Sequence, residues 1–166
     1  MNPRQRRITA DWDALRAEYS GHEAVTIEPI GPMPPEDYEV VLRVPGLRRD
    51  GERPIVVDEH KVRIQLPLGY PRDEPYCTPL TPVFHPNISE RICIGDYWAA
   101  GEQLVDIVAR ISEMIQYRLY NPASPLDAVA AKYAIDNREL FPIGDVEIYS
   151  PEIEVRRRAE SSDTDE

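Results

Sequence analysis

The chain has 166 residues, 42% of them hydrophobic, with 17 prolines and a formal net charge of −11 at pH 7. That length suits one domain with a real core, and the proline content, roughly twice the usual share of about 5%, calls for many turns and extended segments. The acidic balance excludes nucleic acid as the natural partner, because binding a polyanion relies on a basic face that releases counterions, and the arginine runs Arg4-Arg6-Arg7 and Arg156-Arg157-Arg158 are short and terminal.

Cys77 and Cys93 lie sixteen residues apart without a CxxC, so neither a disulfide framework nor a zinc site is indicated. His22, His60 and His85 are widely separated and lack a second ligand at i+3 to i+5, so no metal or cofactor is expected. No secretory leader and no apolar run of about 18 residues is seen, which points to a cytoplasmic chain with reduced thiols and no membrane partner.

In chain order, Asn2-Pro3 followed by Ile8, Trp12, Leu15 and Tyr19 predicts a helix with an N-cap and a proline at its first position, ended by Gly21. Three extended runs follow at Val25 to Ile30, Tyr38 to Val44 and Lys61 to Leu66, with turn residues between them that favour an antiparallel meander. Ile55 to Val57 is a further short extended piece at an edge. From Leu68 to Asn87 the prolines Pro71, Pro75, Pro79, Pro82 and Pro86 exclude helix and most sheet pairing.

A strongly periodic helix is predicted over about Glu102 to Tyr120, with Leu104, Ile107, Val108, Ile111, Ile115 and Leu119 on one face. Asn121-Pro122 stops it, and Ser124-Pro125-Leu126-Asp127 reads as the capping box of another helix that runs to about Leu140. Phe141-Pro142 closes that helix. Asp145 to Val155 is a short strand or an arm, and Ala159 to Glu166 reads as a disordered acidic tail.

The chemistry concentrates in His85-Pro86-Asn87-Ile88 and the Ser89-Glu90-Arg91-Ile92-Cys93 that follows. A thiolate is the strongest side-chain nucleophile near neutral pH, and an Asn amide can donate to the oxyanion formed when a thioester is attacked. Taken alone, Cys93 reads more readily as a small buried hydrophobe, and Asn87 is common as a turn residue after proline. Cys77 has nothing of a site around it.

The order of helix, meander, proline-rich loop, Asn and Cys pair and two further helices resembles the ubiquitin-conjugating enzymes over about residues 4 to 142. The matching points are Tyr70-Pro71 with Pro75, His85-Pro86-Asn87-Ile88, Ile92-Cys93, Trp98, and Asn121-Pro122 through Pro125-Leu126. The resemblance implies an α+β fold: an N-terminal helix, an antiparallel four-stranded meander, the active-site loop, then two or three C-terminal helices. It implies a catalytic domain over 1–142, an extension over 143–158 and a tail over 159–166.

It further implies that Cys93 accepts a ubiquitin-like modifier protein from an activating enzyme as a thioester and passes it to an amine. The activating enzyme would dock at the N-terminal helix around Arg4, Arg6 and Arg7. Asn87 would stabilise the oxyanion or hold the loop, and His85 would be structural rather than a base. Ser124 would orient the acceptor amine or cap the next helix, and Asn121 and Leu126 would line the same groove. Asn87 and Cys93 are six residues apart, closer than the family's usual spacing. Arg72 stands where many members present an aromatic to their ligases, and Ala99-Ala100-Gly101 replaces a typical proline, which argues against a RING-type ligase. Such shortened forms look like bacterial relatives found in antiviral defence. A non-catalytic module of the same fold, binding the modifier or the activating enzyme, is the alternative, and a cysteine hydrolase would need a base that the sequence does not supply.

Overall fold

The computed structural model describes residues 1–95 and 98–148. The acidic tail and most of the expected 145–155 arm lie outside the described residues.

Helix α1, Pro3–Tyr19, begins as the sequence predicts: the Asn2 side chain accepts from the Gln5 amide at 2.8 Å, and the Gln5 side chain accepts from the Asn2 amide at 3.2 Å. This reciprocal cap satisfies two donors that the first turn leaves orphaned. Ile8, Leu15 and Tyr19 face inward together with Asp11, a buried carboxylate that accepts from the Tyr70 hydroxyl at 2.5 Å and from Arg7 Nε at 3.0 Å.

The main sheet has strand order β1-β2-β5-β6, antiparallel throughout: β1 Val25–Ile30, β2 Asp37–Leu42, β5 His60–Gln65 and β6 Tyr76–Pro79. Tyr38, Val40, Leu42, Val62 and Ile64 point to the core, while their alternating neighbours face out, among them the pairs Arg63–Asp37 at 2.6 Å and Lys61–Glu39 at 3.9 Å. This is the period-two pattern of a sheet covered on one face.

Two strands differ from the sequence reading. The edge piece at Ile55 to Val57 belongs to β4, Arg53–Val57, which pairs only with β3, Gly46–Asp50, in a separate hairpin turned by Asp50-Gly51. Gly51 takes φ +60°, the left-handed conformation such a turn favours. The fourth strand of the main sheet comes instead from the proline-rich segment. β6 fits there because it is only four residues long and stands at the sheet edge, where a proline costs no interior ladder bond.

Helix α2, Leu104–Ile115, shares the main core with the sheet and has nine of its twelve residues buried. It ends five residues before the predicted Tyr120 because Tyr117 adopts φ +58°. The Tyr117 amide returns to the Met114 carbonyl at 2.9 Å and the Arg118 amide to Glu113 at 2.9 Å, the paired bonds of a Schellman end in which tyrosine holds the position usually given to glycine. Tertiary packing holds the tyrosine there: its ring stacks on Phe141 at 4.3 Å and its hydroxyl donates to the Phe84 carbonyl at 2.5 Å.

Helix α3, Ala128–Asp136, starts three residues later than predicted. Asp127, not Ser124, is its cap, accepting from the amides of Val129 and Ala130 at 3.0 Å each. A 3₁₀ turn, Arg138–Leu140, follows. Residues 143–148 then fold back on α2. Gln116 is fully buried, its carbonyl takes the Ile143 amide, and its side chain both donates to the Val146 carbonyl and accepts from the Val146 amide, each at 2.8 Å.

Replacing Gln116 by Ala leaves the Val146 amide and carbonyl without those partners. The expected result is a loss of about 1–3 kcal/mol in urea denaturation, with faster hydrogen exchange at Val146.

Candidate active site

The segment between β6 and α2 hangs from the free edge of β6. The Ile92 amide donates to the Cys77 carbonyl at 2.8 Å, and the Cys93 amide closes back on the Asn87 carbonyl at 3.0 Å. Ile88 bridges to both His85 and Ile92. The short Asn87 to Cys93 spacing is therefore a closed, tight loop, pinned by the buried Ile88 and Ile92.

His85 is fully buried and both ring nitrogens are engaged. Nδ1 accepts from the Asn87 amide at 2.9 Å, so the proton sits on Nε2, which donates to the Leu119 carbonyl at 3.1 Å. Burial pushes the imidazole down to about 4, so it is neutral at physiological pH. A ring whose lone pair already holds a backbone amide cannot take a proton from a thiol, and the geometry leaves His85 as the strut that sets the turn at Asn87.

The Asn87 carboxamide spans to the far wall of the site. Its Oδ1 accepts from the Asn121 amide at 2.7 Å, and its Nδ2 donates to the carbonyls of Asn121 at 2.9 Å and Ser124 at 3.3 Å. The Asn121 side chain accepts from the Ala123 amide at 3.0 Å. The amides of Leu126 and Asp127 donate to the Pro86 carbonyl at 2.7 and 3.1 Å. Two loops some 34 residues apart in sequence are thus joined through one side chain and one carbonyl.

Cys93 is half-buried and opens onto a groove of about 320 Å³, whereas Cys77 is buried in the core, its thiol pushed up to about 12 by burial. Asn87, Asn121, Ser124 and Leu126 all line that groove with Cys93. Ser124 contributes its backbone carbonyl to Asn87. Leu119, Tyr120, Arg91 and Arg110 also line it and were not singled out from the sequence; for Arg91 the one available signal was its place two residues before the cysteine. No carboxylate or imidazole lines the groove among the described residues, and none of them forms a cluster able to hold a metal ion. A half-exposed thiol beside an open groove with no base among its described lining residues suits exchange with an already activated acyl group.

The N-terminal arginines do different things. Arg4 pairs with Glu36 at 2.6 Å and donates to the Pro67 carbonyl at 2.9 Å. Arg7 holds Asp11, the Tyr70 hydroxyl and the carbonyls of Ala100 and Glu102, tying α1 to the segment that leads into α2. Arg6 is exposed and donates to the Met1 carbonyl at 2.9 Å. Trp98 Nε1 donates to the Pro71 carbonyl at 2.6 Å and its ring lies 6.0 Å from that of Tyr70. No helix among the described residues is long and apolar enough to cross a membrane.

A family model described as ubiquitin-conjugating enzyme matches residues 57–143, which include the whole of this site. Ubiquitin-conjugating enzyme E2 21 of Caenorhabditis elegans is 31% identical over 87 residues, covering 49% of this chain and 40% of that protein. Ubiquitin-conjugating enzyme E2 K of Homo sapiens is 31% identical over 88 residues, covering 49% and 43%. The chain thus spans about two fifths of the length of these curated relatives. In fold it is similar to the E2 domain of a Toxoplasma gondii ubiquitin conjugating enzyme, with a TM-score of 0.60 at 23% identity over 82% of this chain and 90% of that one.

The buried neutral His85 makes stability depend on pH. Its folded pKa lies below the ordinary value of 6.5, so between the two values the unfolded chain binds more protons. The contribution is complete above about pH 6.5 and is lost as pH falls toward 4, by up to about 3 kcal/mol. His60, also lowered by burial, acts in the same direction. Urea denaturation at pH 7.5 and pH 5 is expected to show this loss, and His85→Gln, although less stable at pH 7.5, is expected to show a smaller difference between the two.

Proposed function

Because the chain belongs to the ubiquitin-conjugating enzyme family, we propose that it is a transferase that carries a ubiquitin-like modifier as a thioester on Cys93 and delivers it to an amine. The observation that carries this reading is the contrast between the two thiols: Cys93 opens onto the groove and Cys77 is buried.

In the loading step the Cys93 thiolate attacks the thioester carbonyl held by an activating enzyme, a tetrahedral oxyanion forms, and the activating enzyme's thiolate leaves. In the delivery step a neutral amine attacks the new thioester and Cys93 Sγ departs with the bonding electrons. Both Nδ2 donations of Asn87 are directed at the 121–124 loop. Its first role is therefore to hold the groove wall against the Cys93 loop, and donation to the oxyanion requires exchanging the longer bond, to Ser124. With no base among the described residues lining the groove, the amine would lose its proton to solvent. An α-amino group, with a pKa of about 7.7–8.0, is less hindered in this than a lysine at about 10.4. The Ser124 hydroxyl would help to orient that amine.

The activating enzyme would meet the exposed face of α1 at Arg6, with Arg4 and Arg7 holding the helix in position. Delivery would proceed without a RING-type ligase: Arg72 is exposed beside Tyr70-Pro71, and Ala99, Ala100 and Gly101 present no apolar side chain larger than a methyl group.

Incubation with a cognate activating enzyme, ATP and modifier is expected to give an adduct that DTT removes, present in Cys77→Ala and absent in Cys93→Ala. An adduct that survives loss of Cys93 but not of Cys77 would sink the reading. Asn87→Ala is expected to slow delivery by about 10²-fold, typical for loss of an oxyanion donor, and to lower stability by about 2 kcal/mol because buried backbone groups lose their partner.

A further inference from the structure

A thioester at Cys93 restricts where the modifier's last residues can lie. The acyl carbon is bonded to Sγ, so the residues before it must fill the free volume next to the sulfur. Among the described residues, two voids border Cys93: the groove of about 320 Å³ and a second, of about 40 Å³, between Glu74 and Gly95. The second has about one eighth of the groove's volume, too little for an extended run of residues. The tail of the modifier therefore lies in the groove.

The charged groups lining that groove among the described residues are both guanidinium groups, Arg91 and Arg110. The charge of Arg110 is already met, since it pairs with Glu102 and donates to the Ile94 carbonyl at 2.5 Å. Arg91 is exposed at the rim, and its guanidinium has no ion pair or hydrogen bond among the described residues. Glu74 lines the smaller void with Arg91 but forms no ion pair with it. Among the described residues, an incoming basic side chain would meet the unpaired guanidinium of Arg91, and a carboxylate would meet a partner able to form a charge-assisted, bidentate contact.

We propose that the modifier carried by this protein presents an acidic side chain within the last few residues of its tail, and that Arg91 is the residue that selects it. This rests on Cys93 being the carrier thiol. The selection acts in the loading step: the bond from Cys93 Sγ to the acyl carbon forms, the bond from that carbon to the donor sulfur breaks, and the Cys93 proton ends on the released thiol.

The test needs no activating enzyme. Synthetic peptides ending in Gly-Gly, activated as thioesters of a small neutral thiol, carry Glu, Gln or Arg at the third, fourth or fifth residue from the carboxyl end. Acylation of Cys93 is followed by intact mass in low and high salt. At the position facing Arg91, Glu peptides are expected to load about fivefold faster than Arg peptides, the upper range for a partly exposed ion pair, with Gln between them and the gap closing in high salt. Arg91→Lys is expected to keep the order and Arg91→Glu to reverse it. Equal rates for Glu and Arg peptides at every position, or an order unchanged in Arg91→Glu, overturns the proposal. Failure of every peptide to acylate Cys93 overturns the carrier reading itself. Arg91 is exposed, so its variants fold, and unchanged denaturation midpoints verify this.

Discussion

Burial of α2 is the constraint on which the rest of the molecule depends. With nine of twelve residues withdrawn from water, each large aliphatic among them adds about 1.5–3 kcal/mol of transfer free energy, and the helix can stay where it is only if covered on several sides. The inward face of the sheet covers one side. Helix α1 covers another, held by the Tyr19 hydroxyl donating to the Val105 carbonyl at 3.0 Å. The segment from Ile88 to Ile94 closes over it with three buried isoleucines, which is why the cysteine between two of them is fixed in space although it sits in irregular backbone.

Irregular backbone that is buried must find partners for its polar groups, and here the solution also shapes the site. His85, Asn87 and the Pro86 carbonyl satisfy amides and carbonyls of two distant loops, so the groove walls are spaced by hydrogen bonds rather than by apolar packing alone. A neutral His85 suits this arrangement, because a charge there would be both unsolvated and unpaired. The chemistry proposed for Cys93 asks little else of the protein. In the proposed reaction the acyl group would arrive activated, so position and access are the main demands.

A second, smaller aromatic cluster stabilises the opposite wall. Tyr117, Tyr120 and Phe141 pack together with Phe84 and Tyr133, and the left-handed Tyr117 sends the chain from α2 toward the 121–126 loop. The end of α2, the start of α3 and the strap at 143–148 are consequences of this packing, and they determine where Asn121 and Leu126 stand relative to Cys93.

Much of this was legible in the residue order. The Asn2-Pro3 cap, the bounds of β1, the extended runs of β2 and β5, and the apolar stripe of α2 follow from local rules of capping and periodicity, so Val25–Ile30 could be read to the residue. The fold family, and Cys93 and Asn87 as the residues of interest, were legible because spaced motifs in a set order carry the resemblance. What stayed hidden depends on partners far away in sequence. β6 is a strand because β5 offers an edge, Tyr117 ends α2 because Phe84 and Phe141 hold it, and Asp127 replaces Ser124 as the cap because the Pro86 carbonyl claims the amides of Leu126 and Asp127. Local propensity determined α1, β1 and the apolar stripe of α2, and the spaced motifs made Cys93 the candidate thiol. Only tertiary contacts decided that Asn87 is a bridge, that His85 is an uncharged strut and that the groove beside Cys93 is lined by arginine, because each of those properties belongs to a pair of groups that the chain brings together only when folded.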